Sequence, residues 1–219
     1  MDWELIRTSL WPLVRGALLG TIPLALVSFA LGLVLALVVA LMRLSRVRAV
    51  SGIARAYVSV IRGTPLLVQL FVIFFGLPSV GVTISPWPSA IIAFTLNVGG
   101  YAAEVIRAAI QSVPKGQWEA AHMIGMSRPL ALRRIILPQA ARVSVPPLSN
   151  TFISLVKDTS LASLILVSEM FRQAQEIAAF SNQFLAIYIE AAVIYWVICL
   201  VLSSGQSVLE ERLARHVAL

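Results

Sequence analysis

Five stretches of the chain are predominantly apolar over a length that can cross the hydrocarbon core of a bilayer. They cover about residues 16–42, 56–77, 88–109, 146–167 and 186–206. A membrane-spanning helix needs roughly 20 apolar residues. The pattern therefore predicts an all-α, polytopic membrane protein with five transmembrane helices, organised as a single domain over residues 1–219.

The composition supports this interpretation. Hydrophobic residues make up 59% of the chain and charged residues 12%, whereas soluble domains carry about 25% charged residues. The first apolar run, Gly16 to Met42, is much longer than the core of a cleavable signal peptide, so we expect it to remain as an anchor. The single cysteine, Cys199, lies in an apolar run, where it is expected to be a small buried hydrophobic side chain.

The positive charges predict the orientation of the spans. The net charge is +7, and the segments 43–55 and 107–142 are rich in arginine, whereas the loop from Pro78 to Pro88 carries no charge. Lysine and arginine collect in cytoplasmic loops of membrane proteins. We therefore expect a multi-pass protein of the cell (inner) membrane, with its amino terminus outside and its carboxyl terminus in the cytoplasm.

The longest cytoplasmic segment, about residues 112–140, predicts two short helices joined by a tight turn. Gly125 is placed to end the first helix and Ser127 to cap the second. Pro129 is expected in the first turn of the second helix and Pro138 at its end. Isolated helices of this length are marginal in water, so something must pack against them.

The first of these helices has the features of a docking wedge. Ala120, Ala121 and Gly125 form a small-residue surface that another backbone can approach, and Glu119 offers a carboxylate to a basic partner. Two alternatives fit the same segment: an amphipathic helix lying on the bilayer, and a helix-turn-helix that binds DNA. Nucleic-acid binding is disfavoured because both ends of the segment are tethered to membrane spans.

The spacing within this wedge resembles a family signature. Glu119, Ala120 and Ala121 are followed after three residues by Gly125, and then by Ile-x-Leu-Pro at residues 135–138. This is the EAA signature of permease subunits in ATP-binding-cassette (ABC) importers.

Further segments resemble the polar amino acid branch of that family, the histidine, glutamine and arginine permeases. These segments are IRGTPLLVQLF at 61–71, YAAEVIRAAIQSVPKGQWEAA at 101–121 and SLVKDTSLAS at 154–163. The resemblance covers about residues 12–208, and the departures at residues 122–124 leave the spacing intact.

The resemblance implies a fold and a set of partners. The fold is that of type I ABC importer permeases, in which the wedge is the coupling helix that seats in a groove of a cytoplasmic ATPase. The implied partners are two such ATPase subunits, a second permease subunit (identical or homologous), an extracytoplasmic solute-binding protein and membrane lipid. The implied substrate is a polar amino acid or amino-acid-like solute, moved by alternating access.

The chain itself is not expected to be an enzyme. It contains no G-x-x-x-x-G-K-[ST] motif, so ATP and Mg²⁺ are expected at the partner ATPase and no cofactor is expected on this chain. Neither His122 nor His216 has a ligand set nearby, so no metal site is predicted.

Two other functions compete with the importer subunit. An ion-coupled secondary transporter of a small zwitterionic solute would use Glu104 and Asp158 as ion sites, and a membrane scaffold would transport nothing. The odd number of predicted spans, without an evident internal repeat, counts against the secondary transporter.

Polar residues inside the spans are candidates for the substrate path, because ionisable groups in a bilayer usually line a cavity or pair with one another. In the third span Asn97, Tyr101, Glu104 and Gln111 recur at helical spacing and form one stripe. Hydrogen bonding between helices inside the bundle is an equally good interpretation of this stripe.

The fourth span carries Lys157, Asp158 and Ser160. Adjacent side chains on a helix do not face each other, so we expect separate partners, Glu104 for Lys157 and Arg62 for Asp158. Asp158 and Ser160 also suit an N-cap, which predicts a break followed by a half-helix whose positive end faces a substrate carboxylate. An unbroken helix with a structural ion pair is the alternative.

The second span carries Arg62, Thr64 and Gln69 around Pro65. Proline lacks an N–H group and moves the preceding residue out of helical angles, so a kink is predicted. Thr64 and Gln69 are candidate path residues. Arg62 either serves a gate or cavity, or extends to the membrane interface.

Between the fourth and fifth spans the sequence predicts an amphipathic helix on the outer surface. Phe171, Ala174, Ile177 and Ala178 share its apolar face. This helix would cover the cavity or contact the binding protein, or else pack against its own bundle. Glu190, near the outer end of the fifth span, is expected at the interface or at the partner subunit.

Overall fold

The structure, a computed structural model, describes residues 3 to 214, and within this range every regular element is helical. Eight helices are distinguished in the described range: α1 Trp3–Arg43, α2 Arg48–Gly63, α3 Leu66–Val80, α4 Pro86–Ser112, α5 Lys115–Met123, α6 Arg128–Ile165, α7 Met170–Ser181 and α8 Phe184–Ala214. Short π turns interrupt α1, α3 and α6, at Ala17–Thr21, Val72–Gly76 and Leu132–Ile136. The expectation of an all-α fold is confirmed.

The helices accommodate the five predicted spans if bent pairs are counted, but the bounds of the first, second and fourth spans differ from the prediction. Helix α1 begins at Trp3, well before residue 16. Helices α1, α4 and α8 are each long and apolar enough to cross a membrane, and the count rises to five if the bent pairs α2 with α3 and α6 with α7 are each one span. The predicted second span, about 56–77, is divided between α2 and α3. The predicted fourth span, about 146–167, belongs to a helix that already begins at Arg128.

The division between α2 and α3 comes from Pro65. The two helices meet at a bend of 106°, and Thr64 and Pro65 are both extended, with ψ angles of 145° and 138°. Proline cannot donate a hydrogen bond to the carbonyl of Ile61, one turn earlier, and it excludes the preceding residue from helical angles. The predicted kink is confirmed as a sharp turn.

The prediction that Pro138 ends a short second helix is wrong. Helix α6 has Pro129 in its first turn, passes through the π turn Leu132–Ile136 and continues as an α-helix to Asp158. Pro138 lies in the first turn of that last segment, directly after the π turn. The wider π turn changes the local hydrogen-bond pattern, so the missing N–H of proline is tolerated there.

The break predicted at Asp158 and Ser160 takes another form. The α-helical part of α6 ends at Asp158, but the chain continues as a 3-10 helix to Ile165 without a side-chain cap. The hydroxyls of Thr159 and Ser160 donate back to carbonyls of the preceding turn, rather than capping a new helix. The predicted half-helix with a free positive end is therefore wrong.

Helix α7 packs against its own bundle. Ala174 and Ala178 of the predicted apolar face are fully buried, and Phe171 and Ile177 are partly buried against the same cluster. Helices α1 and α8 provide the opposing surface. The face predicted from the sequence is confirmed, and it is covered within this chain.

The central contact, between α1 and α4, depends on glycines. A Cβ atom at Gly32 would lie 2.5 Å from Cγ1 of Val98, and one at Gly99 would lie 2.7 Å from both Cδ2 of Leu35 and the hydroxyl of Tyr57. Small residues at helix contacts allow such close approach in membranes. The two helices are thereby fixed at the distance that places the α4 polar stripe next to α3 and α6.

Candidate functional site

A cavity with polar side chains opens where the α2–α3 turn meets α4 and α6. Its volume is about 420 Å³, within the usual range of small-molecule sites. Four predicted path residues meet at this cavity, namely Thr64, Asn97, Tyr101 and Asp158. The other lining residues are Pro65, Leu66, Val98, Asn150, Thr151, Ser154 and Leu155.

Gln69 holds the α2–α3 turn from behind the cavity wall. Its Nε2 donates to the carbonyl of Ile61 at 2.8 Å and to the carbonyl and Oγ1 of Thr64 at 3.1 and 3.0 Å. Its Oε1 accepts a hydrogen bond from Nδ2 of Asn97 at 3.2 Å. The Gln69 amide thus replaces the donor that Pro65 lacks, and it ties the turn to α4.

Arg62 lies next to the cavity through Tyr101. The guanidinium carbon of Arg62 is 5.5 Å from the centre of the Tyr101 ring, a cation–π distance. Both side chains are exposed in the single chain. A cation is therefore held beside Tyr101, next to a cavity whose only acidic lining residue is Asp158.

One wall of the cavity was not predicted. Asn150, Thr151 and Ser154 line it together with Asp158, because steps of three and four residues place all of them on one face of α6. The same periodicity was present in the sequence as a signal. Asn150 is further held by Gln206 of α8, whose Nε2 donates to its Oδ1 at 3.2 Å.

Glu104 does not reach the cavity. Its carboxylate pairs with Nη1 of Arg43 at 2.7 Å and with Nη2 of Arg107 at 3.0 Å, so it joins the ends of α1 and α4. Arg107 also donates to Gln111. The predicted stripe therefore has two parts. Asn97 and Tyr101 line the cavity, whereas Glu104 and Gln111 contact Arg107 in a salt-bridge cluster. The predicted partnership of Glu104 with Lys157 is wrong.

Lys157 and Ser160 also lie outside the cavity lining. Lys157 is exposed on the single chain, and the Ser160 hydroxyl donates to the Lys157 carbonyl at 2.7 Å. Among the described residues neither Lys157 nor Asp158 forms a salt bridge, so the predicted pairing of Asp158 with Arg62 is not found.

The wedge has the predicted form. Helix α5 ends at Met123, and Gly125 follows with a φ angle of 78°, a left-handed conformation that favours glycine. Glu119 and Ala120 are exposed, but Ala121 is only 1% exposed. The small-residue surface available to a partner therefore consists of Ala120 and Gly125, without Ala121.

Two large apolar side chains on the wedge were not among the predicted site residues. Met123 and Ile124 are 85% and 76% exposed, next to the exposed Glu119. An exposed apolar patch of this kind is typical of a protein interface. The signal in the sequence was two bulky apolar residues directly before the helix-ending glycine, where an isolated surface turn would carry polar ones.

Two buried acids serve the structure. Glu169 is fully buried and accepts hydrogen bonds from the backbone N–H groups of Phe171 and Arg172 at the start of α7, and from the hydroxyls of Thr21 and Tyr195. Glu190, expected at the membrane interface or a partner, is instead buried in this chain and accepts a bond from Oγ of Ser9 at 2.6 Å.

No group of three or more potential metal ligands is found within residues 3 to 214. His122 is exposed on the wedge. His216 lies outside the residues that the structure describes.

Comparison with known families and proteins agrees with this architecture. Residues 32–215 match the family described as "Binding-protein-dependent transport system inner membrane component". The chain is 61% identical over 219 residues to the L-cystine transport system permease protein TcyB of Bacillus subtilis, covering 100% of this chain and 94% of that protein. It is 42% identical to the nopaline transport system permease protein NocM of Agrobacterium fabrum, covering 93% and 88%.

Solved structures show the same similarity. The chain superimposes with a TM-score of 0.90 and 35% identity on a chain of an amino acid ABC transporter crystallised with histidines, covering 97% of this chain and 99% of that one. The MetNI methionine ABC transporter in an inward-facing conformation gives a TM-score of 0.72 at 18% identity, with 96% and 97% covered. The second similarity concerns the fold alone.

Proposed function

Because this chain belongs to the family of binding-protein-dependent transport system inner membrane components and is an ABC transporter permease for amino acids, we propose that L-cystine is the amino acid it passes. It has the type I permease fold and is embedded in the membrane. The observation that carries the choice of solute is the 61% identity, over the full chain, to a permease named for L-cystine transport. The ion-coupled alternative is not favoured.

The cavity chemistry supports an amino acid of this kind. A zwitterionic amino acid presents an ammonium group and a carboxylate. The Asp158 carboxylate can accept hydrogen bonds from the ammonium group, and the Tyr101 hydroxyl together with the Asn97 amide can donate to a carboxylate. The Thr64 hydroxyl already donates to the Val60 carbonyl, so Thr64 lines the cavity without a free donor. Arg62, stacked on Tyr101, supplies the positive charge that such a carboxylate favours.

The path requires a second permease subunit. The cavity is bounded on one side by the α2–α3 turn, α4 and α6, and its remaining side is open in the single chain. An identical or homologous subunit closes it, and an extracytoplasmic solute-binding protein delivers the amino acid. Lys157, Ser160 and Glu104 are not among the lining residues, so in this proposal they do not contact the solute in the cavity.

Coupling to ATP takes place through α5. Two cytoplasmic ATPase subunits bind ATP and Mg²⁺, and each receives one wedge through Glu119, Ala120, Met123 and Ile124, with Gly125 forming the turn behind them. The side chain of Ala121 fixes α5 to its own subunit instead. Since α6 runs from this turn to the cavity as one helix, movement of the wedge reaches Asp158 directly.

The proposed orientation puts the amino terminus outside and the carboxyl terminus in the cytoplasm. The Arg43–Glu104–Arg107 cluster lies at the same end of the bundle as α5, so the arginine-rich segments and the wedge share one side. This side is the cytoplasmic one by the distribution of positive charge.

The test is uptake into proteoliposomes that contain the permease with its ATPase and binding protein. We expect ATP-dependent accumulation of labelled L-cystine, and we expect Asp158→Asn to reduce it at least about tenfold, as loss of one charge-assisted contact predicts. Uptake without ATP would refute the coupling. ATP-dependent uptake of glutamine or arginine in preference to cystine would refute the solute while leaving the importer role intact.

A further inference from the structure

A second cavity lies away from the solute path, at the ends of α1 and α4 next to the wedge. Its volume is about 580 Å³. Its lining residues are Leu41, Leu44, Ser45, Arg46, Ile110, Gln111, Val113, Lys115, Trp118, Arg128, Pro129 and Leu132. None of the proposed transport steps uses this cavity.

The lining divides into an apolar floor and a cationic rim. Leucine, isoleucine and valine side chains from α1 and α4 belong to the apolar cluster beneath the wedge. The rim carries Arg46, Lys115 and Arg128, and no acidic residue lines the cavity. Within residues 3 to 214 none of these three cations takes part in a salt bridge. Their charge is therefore not neutralised by the part of the chain that is described.

Two of the three cations, Arg46 and Arg128, share a wall with Trp118. Arg128 lies against Trp118, with its guanidinium carbon 5.7 Å from a ring centre. Arg46, Trp118 and Arg128 also form the wall of an adjoining cavity of about 350 Å³, which continues to His122 and Ser127. Positive charge is thus concentrated at the boundary between an apolar compartment and a more polar one.

We propose that this cavity binds an anionic phospholipid, with the phosphate at Arg46, Lys115 and Arg128 and the start of an acyl chain on the apolar floor. The site lies at the ends of two helices that are long and apolar enough to cross a membrane, so in a bilayer it would be at the depth of the headgroups. Basic pockets at this depth attract anionic headgroups. A small soluble anion would use the cations but would leave the apolar floor exposed to water, and this favours the lipid.

The position of the site means that a bound lipid would contact both the wedge and the helices next to it. Lys115 and Trp118 belong to α5, Arg46 follows α1, and Arg128 begins α6. A bound phosphate therefore joins the wedge to the membrane-spanning helices on both of its sides. The lipid would hold α5 in the orientation that a docked partner receives.

The experiment is native mass spectrometry of the full-length permease in detergent, titrated with phosphatidylglycerol or with phosphatidylcholine of the same acyl chains. The variant Arg46→Gln/Lys115→Gln/Arg128→Gln removes the rim. The matched control, Arg48→Gln/Arg55→Gln/Arg142→Gln, removes the same charge from exposed positions outside the cavity.

We expect the wild type to prefer phosphatidylglycerol, and the rim variant to lose affinity for it by about a hundredfold, since each of the three cations contributes about a factor of five. The control variant should stay within about twofold of the wild type. Equal binding of phosphatidylcholine, or an equal loss in both triple variants, would overturn the proposal.

A second variant tests the floor and does not depend on the folding of the first. Leu44→Trp fills the apolar compartment and leaves all three cations in place, so we expect it also to weaken phosphatidylglycerol binding. Unchanged binding by this variant would show that no acyl chain enters the cavity. Displacement of the lipid by millimolar inorganic phosphate would identify a soluble-anion site and would equally overturn the proposal.

Discussion

The amide of Gln69 is expected to stabilise the turn between α2 and α3, and its removal gives a sharp test of the structure. Because Pro65 has no N–H, the Ile61 carbonyl takes its hydrogen bond from Nε2 of Gln69 at 2.8 Å. The substitution Gln69→Met keeps the length of the side chain but removes all of the side-chain hydrogen bonds, including the one from Asn97.

The magnitude follows from the number of bonds lost. Nε2 carries two hydrogens, shared among the Ile61 carbonyl and the two Thr64 oxygens, and Oε1 accepts one more bond. Side-chain hydrogen bonds in membrane proteins average about 0.6 kcal/mol each. We therefore expect a loss of about 2 kcal/mol in the free energy of unfolding, which corresponds to a melting temperature lower by about 4 to 8 °C.

The assay is thermal unfolding of the detergent-solubilised permease, followed by tryptophan fluorescence. The matched control is Gln117→Met, whose side chain is exposed on α5 and accepts one bond from Gln139; we expect a change within about 0.5 kcal/mol. If Gln69→Met melted at the wild-type temperature, the hydrogen bonds from the Gln69 amide to the Ile61 and Thr64 carbonyls would not stabilise the turn. An equal shift in both variants would contradict the reasoning as well.

Three further changes have expected outcomes in the same unfolding assay. Gly32→Ala should destabilise the protein by about 1 to 3 kcal/mol, because the added methyl group overpacks the α1–α4 contact. Gly52→Ala is the control and should be neutral or stabilising, because a Cβ atom at Gly52 would have no neighbour within 4 Å. Equal effects of the two substitutions would refute the close packing at Gly32. Gly125→Ala should cost about 1 kcal/mol because of its φ of 78°, and Gly116→Ala, at a position with open space, should not. Glu104→Gln should cost about 1 to 2 kcal/mol by leaving two arginines without their carboxylate; an unchanged melting temperature would show that the cluster is not stabilising.

Features that depend on neighbouring residues could be predicted from the sequence. Pro65 excludes Thr64 from helical angles whatever surrounds it, and Gly125 tolerates a left-handed conformation that other residues avoid. The apolar periodicity around Ala174 likewise indicated which face of α7 would be buried. In each case the cause lies within a few residues of the effect.

Features that depend on residues far apart in the sequence could not be predicted in this way. Glu104 was expected near Lys157, but it pairs with Arg43, which is remote in sequence and is brought close only by the glycine-dependent contact of α1 with α4. Pro138 was expected to end a helix, but the helix continues past it because a π turn directly precedes it and no α-helical N–H is needed there. The burial of Ala121 depends on how α5 folds back on the bundle, which no local pattern specifies.

The position of the cavity follows from the cost of unsatisfied backbone groups in a membrane. Non-helical backbone at membrane depth is tolerated only where protein or a polar cavity covers it. Thr64 and Pro65 are extended within the second span, and they line the cavity. Gln69 donates hydrogen bonds to the Ile61 and Thr64 carbonyls, and Thr64 and Pro65 line the cavity together with Asp158. The proline that breaks the span therefore also places an extended, polar backbone segment at the wall of this cavity.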